Sequence, residues 1–533
     1  MPRASSALEA SPTPPSMVVN RLYVTRVALT VALGGFLMGF DASVISGVIK
    51  FIEIEFALTK LQLGFSVSSL TLTATLAMML AGPISDRVGR KPVLVVAAIL
   101  YAISAVGSAL APSFTALVIA RMIGGIGVGA SLIIAPMYIA ELAPPQMRGQ
   151  LVSFNQLNIV IGITVAFFTN YLILQLGQSD ASWAQSLKFD EYNWRWMLGL
   201  ETLPAILYFG GLFFVPSSPR WLITQGREGE ALPIMQMAIG GVAAVQEVEK
   251  VKANIEADAE KDSAGIGELF APALRLVITI GVVVGVLQQI TGINSVFFYA
   301  PVIFEQTGIG TDASFVQAIF VGVINLVFTL IAIALIDRLG RKPLLTFGLV
   351  GITCMMMLLA YGFGQATYTL PEAALADFTE HAEALAPLVG QTFDSDLAYK
   401  AGLAAALGTE TATVLESQLI TAAISMNSWL ILIGILGFVA SFAVSLGPVM
   451  WVLFSELFPQ RIRGIAISFV VLINSGVSFL VQQLFPWELA TLGSSVTFLI
   501  YGLFAAAGLV FVIMVVPETK GRTLEELEAE LVR

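Results

Sequence analysis

The 533 residues are 57% hydrophobic and 12% charged, with a mean hydropathy of +0.85; ordinary soluble domains carry about 25% charged residues. So much apolar surface cannot be hidden in a soluble core of this size, and lipid is the solvent that suits it. The formal charge of −10 comes largely from one acidic stretch, 361–427, and no basic stripe offers a nucleic-acid surface. One cysteine, Cys354, and one histidine, His381, leave no internal disulfide and no Cys/His metal cluster, so neither metal nor cofactor is expected.

Residues 1–22 are rich in Ser, Pro and Ala and read as a disordered cytoplasmic tail without a signal-peptide cleavage site. A hydrocarbon core about 30 Å thick needs about 20 apolar residues per helix. Twelve segments meet that: 27–47, 64–84, 92–111, 115–140, 151–176, 196–216, 273–301, 314–336, 344–364, 428–455, 464–486 and 493–516. The expected fold is therefore an all-α membrane protein with twelve transmembrane helices in two six-helix bundles. The bundles span 23–222 and 273–517, joined by a mixed-charge, helix-favouring linker over 223–272 and followed by a tail over 518–533.

Basic residues in short loops favour the cytoplasm. With the N-terminus inside, the inner loops hold Arg87, Arg90, Lys91, Arg148, Arg338, Arg341, Lys342, Arg461 and Arg463. The outer loops hold Lys50, Lys60, Lys188 and Arg195. Both termini are thus expected in the cytoplasm. The outer loops carry no glycosylation sequon, which favours a bacterial inner membrane.

The two bundles repeat each other. Asp86-Arg-Val-Gly-Arg-Lys-Pro92 recurs as Asp337-Arg-Leu-Gly-Arg-Lys-Pro343. Glu141…Arg148-Gly149 recurs as Glu456…Arg463-Gly464, and Val215-Pro-Ser-Ser-Pro-Arg220 has an echo in Val516-Pro-Glu-Thr-Lys-Gly521. Such duplication suits a carrier working by alternating access. From Asp86 to Glu141 is 55 residues and from Asp337 to Glu456 is 119, so an extra 64 fall in the outer loop after the ninth segment. This insertion, about 366–426, reads as short amphipathic helices over 371–388 and 411–426. It is either a lid over the outer mouth or a surface decoration.

Charges inside membrane helices are costly and default to function. Asp41, Arg121 and Glu201 each lie five or six residues from the outer end of segments 1, 4 and 6, roughly 8–10 Å below the boundary at 1.5 Å per residue. Burial raises a carboxyl group's pKa and a neighbouring Arg lowers it. An Arg121 that approaches and leaves Asp41 would therefore make Asp41 release and bind a proton; the alternative is a static ion pair. In segment 7, Gln288, Gln289 and Asn294 offer neutral amides to the hydroxyls of a sugar, or else to a neighbouring helix. Gly292 and Pro301 would let that helix bend or break.

Gly34-Gly-Phe-Leu-Met-Gly-Phe-Asp41, Pro136-Met-Tyr-Ile-Ala-Glu141, Pro216-Ser-Ser-Pro-Arg-Trp-Leu222, Gln288-Gln-Ile-Thr-Gly-Ile-Asn294 and Pro517-Glu-Thr-Lys-Gly521 resemble signatures of the sugar porters of the major facilitator superfamily. The resemblance runs from about 30 to 525, with a gap at the insertion. It implies a monosaccharide carrier, not an enzyme, acting as a monomer in the cell membrane. Proton-coupled members carry Asp at the Asp41 position, where facilitative relatives tend to have Asn, and Glu201 matches an acid of bacterial symporters. The family positions add Gln156, Asn325, Trp451 and Asn474 to the sugar contacts. They also make Asp86, Arg90, Glu141 and Arg148, with Asp337, Arg341, Glu456 and Arg463, a cytoplasmic latch bracing the outward-open state; topological anchoring is the other reading. Met38, Phe40, Ile163, Phe298 and Ser475 depart from common family residues, which leaves hexose, pentose and cyclitol open, with hexose favoured. Facilitated diffusion and sugar sensing are the competing functions.

Overall fold

The computed structural model describes residues 19–259 and 265–531, so the expected tail over 1–22 lies almost wholly outside the described residues. Helix 1 (Arg21–Glu55), helix 2 (Lys60–Val88), helix 3 (Arg90–Ala109), helix 4 (Phe114–Leu142) and helix 5 (Arg148–Gly177) take up the first five apolar segments. Thr59 starts helix 2 with a reciprocal capping box to Gln62, and Ser113 caps helix 4; each satisfies a backbone N–H that the helix leaves unpaired. Gly89 turns the chain from helix 2 into helix 3 with φ of +98°, and Gly340 does the same between helix 8 (Thr311–Leu339) and helix 9 (Arg341–Gly364) with φ of +96°. The glycine of the repeated motif is thus required by the backbone.

Three helices are broken where the apolar segments read as continuous. Helix 6 consists of Asn193–Gly199 and Thr202–Leu212, with Glu201 at the junction. Pro204 follows and cannot donate to the carbonyl of Leu200. Helix 7 consists of Arg275–Ile290 and Ile293–Glu305, and Gly292 between them is left-handed at φ +87°. Pro301 sits inside the second piece without ending it, so the break belongs to Gly292 alone. Helix 10 (Ser428–Val444, Leu446–Leu457) breaks at Ser445, just before Pro448. Helices 11 and 12 run together as Arg463–Val515 across Gly493, at φ +78°. Among the described residues, ten helices are long and apolar enough to cross a membrane. The last holds two crossings, and the pieces of helix 6 supply one more, which makes twelve.

The helices that follow helix 6, Pro219–Thr224, Glu228–Ile239 and Gly241–Ala259, pack on the first bundle. Leu222, Ala231, Met235, Ala238 and Ala244 share a buried core with Val27, Tyr138 and Leu212. We name this end of the molecule the linker face and the opposite end the insertion face. On the latter, Ala366–Met426 folds around its own apolar centre, with Tyr368 and Tyr399 stacked at 5.3 Å. Its helices are Asp396–Leu407 and Thr409–Ala423. The stretch expected as short amphipathic helices over 371–388 is instead a run of 3-10 turns and one short helical turn, Ala382–Leu385, with Pro387 in the 3-10 turn that follows it. Three strands of two or three residues, Thr367–Thr369, Thr392–Phe393 and Ile424–Ser425, tie the insertion's ends together in the order second, first, third.

Candidate functional site

Helix 1 and helix 4 bring Asp41 and Arg121 together. Arg121 Nη1 lies 3.3 Å from Asp41 Oδ1 and Arg121 Nε donates to the carbonyl of Ser66 at 2.9 Å. Small residues make this possible. A Cβ on Gly124 would meet Ser104 Oγ and stand 3.0 Å from Asp41 Oδ2. Glu201 lies within electrostatic reach of both members of the pair, yet its Oε1, like Asp41 Oδ2, has no hydrogen-bond partner. All three charged side chains are at most 2% exposed. An unpaired buried charge costs several kcal/mol, so Asp41 and Arg121 depend on each other, and the unfilled lone pairs leave room for a proton.

The amides of the second bundle converge as well. Asn474 Nδ2 donates to Gln288 Oε1 at 2.9 Å and to the carbonyl of Gly285 at 2.7 Å. Gln289 Nε2 donates to Asn474 Oδ1 at 3.3 Å, and Asn294 Nδ2 donates to Gln289 Oε1 at 2.8 Å. The break at Gly292 swings Asn294 back toward Gln289, which a continuous helix would hold on a different face. Ser478 and Gln482 extend the cluster: Asn294 and Gln482 both donate to Ser478 Oγ at 2.8 Å. Of the other sequence candidates, Asn325 is buried on helix 8, whereas Gln156 and Trp451 are exposed and stand outside this hydrogen-bonded group.

On the linker face the repeated charges pair within each bundle. Arg90 holds Glu141 with Nε at 3.1 Å from both carboxylate oxygens and Nη2 at 2.9 Å, and it also pairs with Asp86 at 2.8 Å. Arg341 Nη2 lies 2.7 Å from Glu456 Oε1 and 3.4 Å from Asp337 Oδ1. Arg148 and Arg463 do not join these pairs; they donate to the carbonyls of Ala143 at 3.5 Å and Phe458 at 3.1 Å. Two hydroxyls complete the symmetry. Ser218 donates to Glu141, and Thr519 donates to Glu456 at 2.6 Å. They occupy matching places in the third repeated motif, a signal present in the sequence but not read there as chemistry.

The chain matches the family described as "Sugar (and other) transporter" over residues 27–376 and 400–531. It belongs to the sugar porters of the major facilitator superfamily. The D-xylose-proton symporter of Escherichia coli K12 is 35% identical over 96% of both chains, and the arabinose-proton symporter of Bacillus subtilis is 32% identical over 95% of this chain and 94% of its own. The inward-open structure of the E. coli xylose transporter, 33% identical, superposes with a TM-score of 0.73 over 96% of this chain and 100% of that one.

This sugar porter is shut at its insertion face. Lys50 of helix 1 reaches across to Glu305 of helix 7 at 2.9 Å and to Thr311 of helix 8 at 2.7 Å. Ser68 donates to Gln483 at 2.7 Å, Thr71 to Gln482 at 2.9 Å, and Gln178 pairs with Asp312 at 2.9 Å. Each of these bonds joins one bundle to the other. Sequence reasoning passed over Lys50 and Glu305 because both fall at the ends of apolar segments, where charge is ordinary. Above the seal, a cavity of about 460 Å³ separates the helix ends from the insertion, lined by Glu53, Lys60, Gln306, Lys400 and Glu416 among others.

Proposed function

We propose that this sugar porter carries a monosaccharide into the cell together with a proton, with Asp41 as the proton-binding group and Arg121 as its counter-ion. The observation that carries this reading is the buried Asp41–Arg121 pair at 3.3 Å, set in a chain whose relatives include proton symporters for xylose and arabinose. Protonated Asp41 releases Arg121, which frees helices 1 and 4 to shift against each other within the first bundle; deprotonation restores the tie. Glu201 serves as the second acid of the same cluster. Gln288, Gln289, Asn294 and Asn474 bind the sugar hydroxyls by exchanging their mutual bonds for bonds to the ligand, with Gln156, Asn325 and Trp451 closing on the ring from the other helices. A hexose is the favoured substrate. The linker face is cytoplasmic, both termini lie inside, the membrane is a bacterial inner membrane, and one chain is the working unit. The seal at the insertion face then makes this the inward-facing state, and the linker-face charges are the latch that joins the bundles in the opposite state.

Uptake of radiolabelled D-glucose, D-xylose, L-arabinose and myo-inositol into proteoliposomes, with and without an acid-outside gradient, tests the reading. Accumulation above equilibrium should require the gradient and vanish in Asp41→Asn, while that variant still exchanges sugar by counterflow. Accumulation that survives in Asp41→Asn sinks proton coupling. A facilitative carrier, as the name of the Synechocystis glucose transport protein allows at 33% identity, would equilibrate each accepted sugar and accumulate none.

A further inference from the structure

Asp41, Arg121 and Glu201 are sealed from the surface while the insertion face is shut. A proton on Asp41 therefore has no direct opening to solvent in this state. Buried hydroxyls lie on the side of the acids that points to the linker face. Ser104 Oγ and Asp41 Oδ2 meet at Gly124. One turn nearer the linker face on helix 3, Tyr101 donates to the carbonyl of Gly34 at 3.5 Å. A Cβ on Gly34 would lie 2.8 Å from the hydroxyl of Tyr208 and 3.2 Å from Ser131 Oγ. Hydroxyls from helices 3, 4 and 6 thus gather around one glycine of helix 1. Tyr101, Ser104, Ser131 and Tyr208 are each at most 2% exposed, and Ser131 lies close enough to the hydroxyls of Tyr101 and Tyr208 to interact with both.

Unpaired buried oxygens cost about 1–3 kcal/mol each, which water relieves where two or more polar groups converge. Two such atoms, Asp41 Oδ2 and Glu201 Oε1, stand at the head of a column of hydroxyls that continues through Ser131 and Tyr208 inside the first bundle. Gly34 lies seven residues from Asp41 and Tyr208 seven from Glu201, both toward the linker face, or about 10 Å. Tyr208 is one turn from the end of helix 6 at Leu212, and beyond it Tyr138 donates to the carbonyl of Pro216 at 2.8 Å.

We propose that the proton leaves Asp41 along this column, through Ser104, Tyr101, Ser131 and Tyr208 with intervening water, and so exits by a route separate from the sugar. The proposal rests on the proton-coupled reading above. Asp41 gives up its proton to the nearest oxygen, and each hydroxyl passes its own hydrogen onward while taking one from behind. The net change is one proton moved to the linker face, with Asp41 left as the carboxylate beside Arg121. Glu201, from helix 6, and Arg121, from helix 4, are the charged groups facing the start of the route.

The test compares wild type, Asp41→Asn, Tyr208→Phe, Ser131→Ala and the Tyr208→Phe/Ser131→Ala double variant in proteoliposomes that trap a pH dye. Net proton entry with D-xylose or D-glucose is read beside counterflow of the same sugar in the same vesicles. In the double variant the ratio of net proton entry to counterflow should fall at least about a hundredfold, the low side of what positioned proton-transfer groups contribute; each single variant should fall less. A double variant with the wild-type ratio overturns the route, as does one whose two activities fall together, because the hydroxyls then only pack. A wild type that moves no protons with sugar, or an Asp41→Asn that still does, overturns the symport reading itself, so the two failures are told apart.

Discussion

Replacing Gly292 by alanine asks an L-residue to hold φ near +87° and drives a methyl group into the ring of Tyr501. The left-handed conformation alone costs roughly 1–2 kcal/mol, and the clash adds to it. Gly292→Ala should therefore lower the unfolding temperature in detergent and raise KM for sugar, because Asn294 loses its approach to Gln289; wild-type values in both would contradict this account. At Asp41 the prediction concerns charge. Arg121→Ala strands the carboxylate and should destabilise by about 3–5 kcal/mol, whereas Asp41→Asn added to it should recover part of that loss, as melting of the single and double variants would reveal. Both acids and the Arg were legible because a charge in an apolar helix stands out against its neighbours. Ser478 and Gln482 were not. Small polar residues are common in membrane helices, and only the fold places these two beside Asn294.

Among the elements, the insertion is docked by charge as well as by apolar contact. Asp396 accepts from the backbone N–H of Ser494 at 3.1 Å, at the start of helix 12. Glu416 pairs with Lys400 at 3.0 Å and accepts from Gln306 at 3.3 Å. Burial alone would raise the pKa of Glu416, but Lys400 and Lys60, with the bonds from Lys400 and Gln306, outweigh it and hold the group down to about 2. A depressed carboxylate pKa stabilises docking above the ordinary value of 4.5 and loses that effect as pH falls toward 2. In the orientation proposed above, the acid-outside gradients that drive symport should thus leave the insertion seated. Glu416→Gln should expose its helices to hydrogen exchange at neutral pH, and the wild type should show the same only below about pH 4.5. Equal protection in both proteins at neutral pH would remove Glu416 from the docking. The helix Thr409–Ala423 was visible in its alternation of apolar residues and acids. The small sheet was not, since strands of two or three residues are too short to display a period.

For the molecule as a whole, the duplicated plan was the most legible feature, because three motifs recur in one order and fall at one end of the helices. Which face is shut was not legible, since it depends on bonds between residues hundreds of positions apart. Lys50→Met with Glu305→Gln removes the charged part of the seal without leaving one partner alone. Spin labels on helices 1 and 7 near the insertion face should then show a larger population of long distances than in the wild type. An unchanged distribution would assign the closure to the polar contacts of helices 2 and 11 instead.

The linker-face networks close within their own bundles, while the ties between bundles gather at the insertion face. Parting the bundles at the insertion face therefore breaks every tie named above before the proposed latch can form at the other end. An unloaded carrier should linger with its insertion face shut, and its empty return should pace the cycle. Sugar waiting on the far side would shorten that pause: exchange of one labelled molecule for another should run faster than one-way uptake, and weakening the Lys50–Glu305 tie should narrow the gap between the two rates.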